Sequence, residues 1–291
     1  MVAPAFEYVP AASYDEAVRL LAASAAGGAE AKLLAGGQSL MPMLNLRLAH
    51  PDLLIDLNPA DQRPPAMAED EHGGLLRLPA LTRHRVLLEH DLVRRGCPLL
   101  AEAVRYVGNV RVRNRGTIGG SLAHADPTSE IGCCALASGA RVVVRGPDGD
   151  RTIPVAGLFA GYWATTLAGS EIITDVLIPA ARPGAGWSFQ EMVRRTSDFA
   201  IVAVAATVYL DERTGAIATA RVALAGVADR VVLADPDLVD GSADETAARI
   251  AETLEPASDV HASGAYRRRL ARVLTARALR QACARAAGEG T

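Results

Sequence analysis

The chain has 291 residues, 50% of them hydrophobic and 22% charged, with a formal net charge of −3. This composition belongs to a folded protein with a sizeable core in two or three lobes, not to a disordered chain. The near-neutral balance gives no electrostatic case for nucleic acid or a membrane surface, and the longest near-continuous apolar run, residues 199–210, is short of the roughly 20 residues a membrane span needs.

Residues 13–26 carry apolar side chains at helical spacing behind Ser13, with Glu16 three residues on, the signature of a capping box. Residues 31–35 form a short apolar run stopped by Gly36 and Gly37, a strand ending in a glycine turn. A short helix is expected after Gln38 and a strand over residues 53–57, giving a β-α-β-like first lobe over residues 1–60. Residues 59–74 are polar and proline-rich and read as a loop or lobe boundary. A second lobe over 61–179 opens at Leu75, with helical patterns over 84–92 and 98–107. Residues 141–155, with Gly146 and Gly149 at the centre, spell a hairpin, and 171–178 a strand closed by Pro179. Residues 180–186 read as a linker. Beyond it, in 180–291, strands are expected over 188–193, 201–210 and 216–224, then helices over 243–253 and 264–287. That is a sheet followed by helices, an α+β layer.

Four cysteines stand at 97, 133, 134 and 283, without a spaced C-x-x-C pair, so they read as reduced, inert thiols and not as metal or cluster ligands. No basic start followed by an apolar stretch and a cleavage site is seen, so the cytoplasm is the expected compartment. Lys32 is the one lysine, which leaves no Gly-Lys phosphate loop and argues against Schiff-base chemistry. The six histidines do not cluster at ligand spacing, and no nucleophile–base pair is readable.

Two stretches carry chemistry. In Leu33-Leu-Ala-Gly-Gly-Gln-Ser39 a strand ends in two glycines and a hydroxyl residue, which exposes consecutive backbone N–H groups before a helix. Such a nest suits a phosphate or pyrophosphate, although an ordinary strand-to-helix turn has the same look. In Arg115-Gly-Thr-Ile-Gly-Gly-Ser121 the pattern recurs in another lobe, followed by His124, Asp126, Thr128, Ser129 and Glu130. Two such turns can grip a diphosphate from both sides, and Glu130 can accept from ribose or ribityl hydroxyls. Arg111, Arg113 and Arg115 read as a solvated loop.

AGGQSLMPMLNLRLAHPDLLIDLN together with VRNRGTIGGSLAHADPTSE resembles the FAD-binding medium subunit of molybdenum hydroxylases, the xanthine dehydrogenase / aerobic carbon monoxide dehydrogenase family. The resemblance runs over nearly the whole chain: residues 194–200 (RRTSDFA) resemble the motif opening the family's C-terminal lobe, and 263–274 its terminal helix. It implies a two-lobed FAD-binding domain of the vanillyl-alcohol-oxidase (PCMH) type followed by a C-terminal α+β domain. Carried over residue by residue, Ala35, Gly36, Gly37, Gln38 and Ser39 match one FAD-phosphate loop, and Thr117, Ile118, Gly119, Gly120 and Ser121 the other. Glu130 matches an acidic FAD contact. Val107 and Ile173 match apolar contacts of the flavin, and Asp198 and Phe199 lie by its exposed edge. No residue is assigned a catalytic or metal-binding role. Two departures stand out. A lysine that many members carry before the Arg194-Arg195 pair is absent from Phe189-Gln-Glu-Met-Val193, and Ser121 replaces a common asparagine.

The resemblance implies an electron relay. The chain would take electrons from 2Fe-2S clusters on a small partner, fed by a molybdopterin site on a large partner, and pass them through FAD to NAD, oxygen or a quinone-linked acceptor. The implied assembly is a dimer of heterotrimers. Two other readings stay open: a stand-alone flavin oxidase, and an assembly protein that kept the fold without FAD. The terminal helix carries seven arginines and no acidic residue over 265–287, either a solvated basic face or a dock for an acidic partner.

Overall fold

The computed structural model describes residues 3–70, 73–211, 213–239 and 241–289. The first sheet is parallel, in the order β1 (Glu7–Pro10), β3 (Leu53–Asp56), β2 (Ala31–Leu34). Strand β1 escapes the sequence reading because it is four residues long and mostly exposed. Helix α1 (Tyr14–Ala26) buries Tyr14, Ala17, Val18 and Leu21, one face at helical spacing, against Ile55, Leu57 and Ile172. Ser13 accepts the Glu16 N–H as expected, but Glu16 reaches back to the N–H of Ala12, one residue before the reciprocal capping-box partner. Helix α2 (Leu40–Asn45) follows the first glycine turn.

The second sheet is antiparallel, in the order β4 (Ala66–Asp70), β5 (Gly73–Pro79), β10 (Ile172–Pro179), β6 (Arg141–Gly146), β7 (Gly149–Pro154). Strand β4 occupies a stretch that reads as loop. It is an edge strand that pairs with β5 alone, so its sequence needs no buried face on both sides. Helices α3 (His84–Glu89), α4 (Asp91–Gly96), α5 (Pro98–Ala103), α6 (Val110–Arg115), α7 (Ile118–His124) and α8 (Glu130–Ala137) lie between β5 and β6. The expected helix over 84–92 is broken at His90, whose extended backbone ends α3 and whose imidazole accepts the Leu92 N–H to start α4. The arginine run is helical as well: Asn109 caps α6, and Arg113 donates to the carbonyls of Val107 and Gly108 instead of standing in solvent. The hairpin closes with Gly146 opposite Gly149. A small hairpin, β8 (Phe159–Gly161) with β9 (Ala164–Thr165), precedes β10.

The third sheet is antiparallel: β11 (Ala185–Val193), β12 (Ala200–Leu210), β13 (Ile217–Ala225) and β14 (Val232–Leu233). Strand β12 is a continuous apolar run because both its faces are covered. Val202, Val204 and Val208 join the core formed with helices α9 (Ala243–Glu252) and α10 (Gly264–Ala286), while Ala203 and Ala205, with Ala223 and Ala225 of β13, join the core of α8 and the second sheet. The alanines let α8 approach the sheet closely.

The expected linker is partly strand. A Cβ at Gly186 would lie 1.8 Å from the Ala282 carbonyl oxygen, so this glycine serves contact between β11 and α10 and not flexibility. Nor is the arginine-rich α10 simply a solvated face. Arg267 is buried, donating to the carbonyls of Ile201 and Gly226 and to Asp259, whose carboxyl is lowered to about 2 because the bonds it accepts from Arg267 and from the Ala262 and His261 N–H groups outweigh its burial. Arg285 lies over the Trp187 ring and donates to Glu102. Cys97, Cys133 and Cys134 are buried and free, and burial pushes all three thiols up. Among the described residues no helix is long and apolar enough to cross a membrane.

Candidate cofactor-binding site

The two glycine turns lie far apart in sequence and touch in space. A Cβ at Gly36 would sit 2.3 Å from the Arg115 carbonyl oxygen and 2.8 Å from the Gly116 Cα, so glycine is obligatory for the contact. Gly120 approaches the Ala35 Cβ. Arg83 locks the pair by donating to the Arg115 carbonyl and to the Asn58 side chain, while Asn58 donates to the Ala35 carbonyl at 3.0 Å. Asn58 is itself held by Asp56, which also accepts from Tyr8 at 2.6 Å. Burial alone would raise the Asp56 carboxyl, but the hydrogen bonds from Tyr8 and Asn58 outweigh it and leave it below its ordinary value.

The turns differ in what they offer. At the first, Gly37 has φ +70° and the Gln38 side chain donates to the Gly36 carbonyl at 3.1 Å. The N–H groups of Gly36, Gly37, Gln38 and Ser39 donate to no protein acceptor among the described residues. Four consecutive free donors behind a strand form a cradle for an anion. At the second turn the N–H groups are taken: Ile118 donates to Thr82, Gly119 to Ala80, Gly120 to the Thr117 hydroxyl and Ser121 to the Thr117 carbonyl. Gly119 is there for packing, since a Cβ would lie 2.5 Å from the Ala80 Cβ. Thr117 and Ile118 are buried. Among residues 118–121 the one polar side chain is the Ser121 hydroxyl, 3.0 Å from the Nε2 of His84.

The other expected contacts stand on separate elements. Glu130 is the first residue of α8, half-buried, and burial followed by the charge of Asp126 pushes its carboxyl up to about 7. Glu191, on β11, has a buried carboxyl oxygen without a partner, and burial followed by the charge of Glu130 pushes it up to about 8. It occupies the neighbourhood where the resemblance leads one to expect a lysine. Val107 is buried beside Tyr106, whose ring meets Phe189 at 5.3 Å, and its carbonyl takes Arg113. Ile173 is buried in β10 just before a bulge. Asp198 and Phe199 stand on the turn between β11 and β12, where Ser197 has φ +68° and Phe199 is 74% exposed. The structure thus joins the two turns directly, and it puts Glu130 at the start of α8 and Asp198 and Phe199 on the connection from β11 to β12.

Asn58, Arg83 and His84 were not legible as site residues. Asn58 follows β3 and His84 opens α3, neither within a local motif, and the bonds that bring them to the turns reach 23 to 37 positions along the chain. Glu102 was equally silent. It accepts from the Trp187 indole, the Phe189 N–H and Arg285, and so sets the third sheet against α5. Among the described residues no group of three or more His, Cys, Asp or Glu could hold a metal ion.

The geometry fits a dinucleotide flavin: a row of free N–H groups suited to phosphate, a second glycine turn in contact with it, and no space for a side chain at Gly36 where the turns meet. Comparison with known proteins agrees. The family model for the FAD binding domain in molybdopterin dehydrogenase matches residues 4–181, and that for the CO dehydrogenase flavoprotein C-terminal domain matches 187–282. The chain is 38% identical to the 6-hydroxypseudooxynicotine dehydrogenase complex subunit alpha of Paenarthrobacter nicotinovorans, over 98% of this chain and 97% of that one. It is 35% identical to the carbon monoxide dehydrogenase medium chain of Hydrogenophaga pseudoflava, over 99% of this chain and 100% of that one. The solved carbon monoxide dehydrogenase from Hydrogenophaga pseudoflava, in a form lacking the Mo-pyranopterin moiety of its cofactor, superimposes with a TM-score of 0.91 at 35% identity, covering 98% of this chain and 99% of that one. The chain therefore belongs to the FAD-binding medium subunits of the molybdenum hydroxylases.

Proposed function

We propose that the chain is the electron-relay subunit of a three-component molybdenum hydroxylase, placed between a small iron–sulfur subunit and an external acceptor. The observation that carries this reading is the row of free N–H groups from Gly36 to Ser39, braced through Gly36 against the turn of the second lobe. Within the proposed lobes 1–60 and 61–179, that cradle binds the FAD pyrophosphate, with Ala35 shaping its floor and Ser121 closing it from the opposite side. Thr117, Ile118, Gly119 and Gly120 hold Ser121 in place. Glu130 accepts from the sugar-alcohol chain when ionised and donates when protonated. Val107 and Ile173 supply apolar surface. The region 180–291 brings Asp198 and the exposed Phe199 to the flavin's open edge, where an aromatic ring governs access.

Bound FAD supplies a carrier that takes up and releases electrons; the chain binds it, orients it and limits its exposure. Relay needs no acid–base residue of the chain's own, and among the described residues no group of three or more His, Cys, Asp or Glu could hold a metal ion. We place 2Fe-2S clusters on a small partner and molybdopterin on a large one, in a cytoplasmic dimer of heterotrimers. The test is isolation of the native chain with whatever it binds, followed by flavin and metal analysis. Co-elution of FAD with a molybdenum-bearing large chain and an iron–sulfur small chain is expected. FAD on a lone chain that oxidises a substrate by itself overturns the relay reading.

A further inference from the structure

His84 is buried at 3% exposure at the start of α3, and its role is not explained by packing alone. Its Nε2 lies 3.0 Å from the Ser121 hydroxyl oxygen, and its Nδ1 is buried without a hydrogen-bond partner. Gly116 gives the ring its room, since a Cβ there would lie 2.9 Å from both Nδ1 and Cε1. Among the described residues no carboxylate pairs with the ring. Burial, with the charges of Arg113 and Arg83 adding to it and the Thr117 backbone opposing it, holds the imidazole down to about 4, so it is neutral at ordinary pH.

A neutral imidazole has one N–H, and its place decides what Ser121 can do. With the proton on Nδ1, a buried donor is orphaned and Ser121 must give its only proton to Nε2. With the proton on Nε2, the orphan is an acceptor lone pair, which native interiors tolerate better than an unpaired donor. Nε2–H then donates to the Ser121 oxygen, and the hydroxyl proton is free to point away from the ring. This matters because the backbone donors of Ile118, Gly119, Gly120 and Ser121 are already used, so the hydroxyl is the donor these four residues have left for an anion.

We propose that His84 is a positioning residue for the FAD phosphates: it carries its proton on Nε2, donates to Ser121, and so presents the Ser121 hydroxyl as a donor to a phosphate oxygen. The proposal rests on the reading of this site as an FAD cradle. It assigns the histidine no contact with the cofactor and no part in electron transfer.

The test is a double-mutant cycle on FAD binding, with the full chain stripped of flavin and retitrated by fluorescence. Riboflavin, which lacks phosphate, is the comparison ligand. Ser121→Ala and His84→Phe should each weaken FAD about tenfold, as expected for one hydrogen bond to a charged group, and leave riboflavin unchanged. In the Ser121→Ala background, His84→Phe should add little. His84→Gln, whose amide can donate to Ser121, should recover most of the affinity. Losses that multiply, or an equal loss for riboflavin, overturn the proposal and leave the FAD reading standing. Should the unsubstituted chain bind riboflavin and FAD equally weakly, the FAD reading itself fails and the proposal with it. An independent measurement needs no variant: nitrogen NMR of the histidine ring should show Nε2 protonated, and a proton on Nδ1 overturns the assignment.

Discussion

The two glycine turns look like twins in the sequence and are built for different work. The first presents four free N–H groups and uses one glycine for left-handed backbone and the other for contact with the second lobe. The second has its N–H groups consumed by the protein, packs Gly119 on Ala80, and offers a side-chain hydroxyl. A glycine pair before a helix is thus one local pattern with two uses, and the hydrogen-bond ledger of the backbone tells them apart. What titrates beside each turn differs as well: Asp56, bonded to Asn58 beside the first, is held below its ordinary value by hydrogen bonds, while burial holds His84 beside the second neutral.

The sharpest way to break this contrast is Gly36→Ala. With the Arg115 carbonyl 2.3 Å from the new Cβ, the two turns must part. We expect FAD binding to be lost and the chain to lose about 3 kcal/mol of stability, the upper range for overpacking against rigid backbone. Retained flavin at normal affinity would show that the turns need not touch. Gly119→Ala tests the other half. Its clash is with Ala80, so about 2 kcal/mol should be lost in chemical denaturation, with FAD affinity falling less than in Gly36→Ala. Adding Ala80→Gly should return part of that stability, because the nearest clash, at 2.5 Å, is with the Ala80 Cβ.

A pH series sharpens the comparison further. Glu130 and Glu191 are raised from 4.5 to about 7 and about 8, so the folded chain binds more protons than the unfolded one across that window, and stability falls as pH rises through it. His84 acts oppositely: lowered from 6.5 to about 4, it makes stability fall as pH drops through that range. Above pH 6.5 the glutamates act without it. The melting temperature of the flavin-free chain should therefore decline from pH 6.5 to 8, and Glu191→Gln should flatten the decline. An unchanged slope would count against the buried acid pair. The smallest effect is expected for Phe199→Ala. At 74% exposure its loss should move stability by less than about 0.5 kcal/mol, while access of small quenchers to the flavin increases; unchanged quenching would remove the ring from the rim.

Much of this fold was legible along the chain. Helix α1, the hairpin at Gly146–Gly149, the long strands of the third sheet and helix α10 each follow from a local period or turn. What escaped depends on neighbours. Strand β4 is five residues at a sheet edge, paired on one side alone. Gly186 looks like a linker residue until the Ala282 carbonyl is seen against it. Arg113 looks solvated until the carbonyls of Val107 and Gly108 are found under it. For the site, the glycine motifs and the resemblance found both turns, but not the residues that join them. Arg83, Asn58 and His84 make bonds to positions 23 to 37 residues away, and no spacing within a turn or helix encodes such a pairing.

Arg83 bonds at once to the Arg115 carbonyl beside the second turn and to the Asn58 side chain beside the first. This cross-link holds the two halves of the cradle together before any cofactor arrives, which makes it the protein counterpart of a chelate ring. The loss of freedom otherwise incurred when a ligand draws two lobes together is already met in folding, so the second half of the cofactor's grip forms at high effective concentration. Departure requires both halves to let go within the same instant. A clamp of this kind retains its cofactor over many turnovers, which suits a subunit through which electrons pass and the flavin stays.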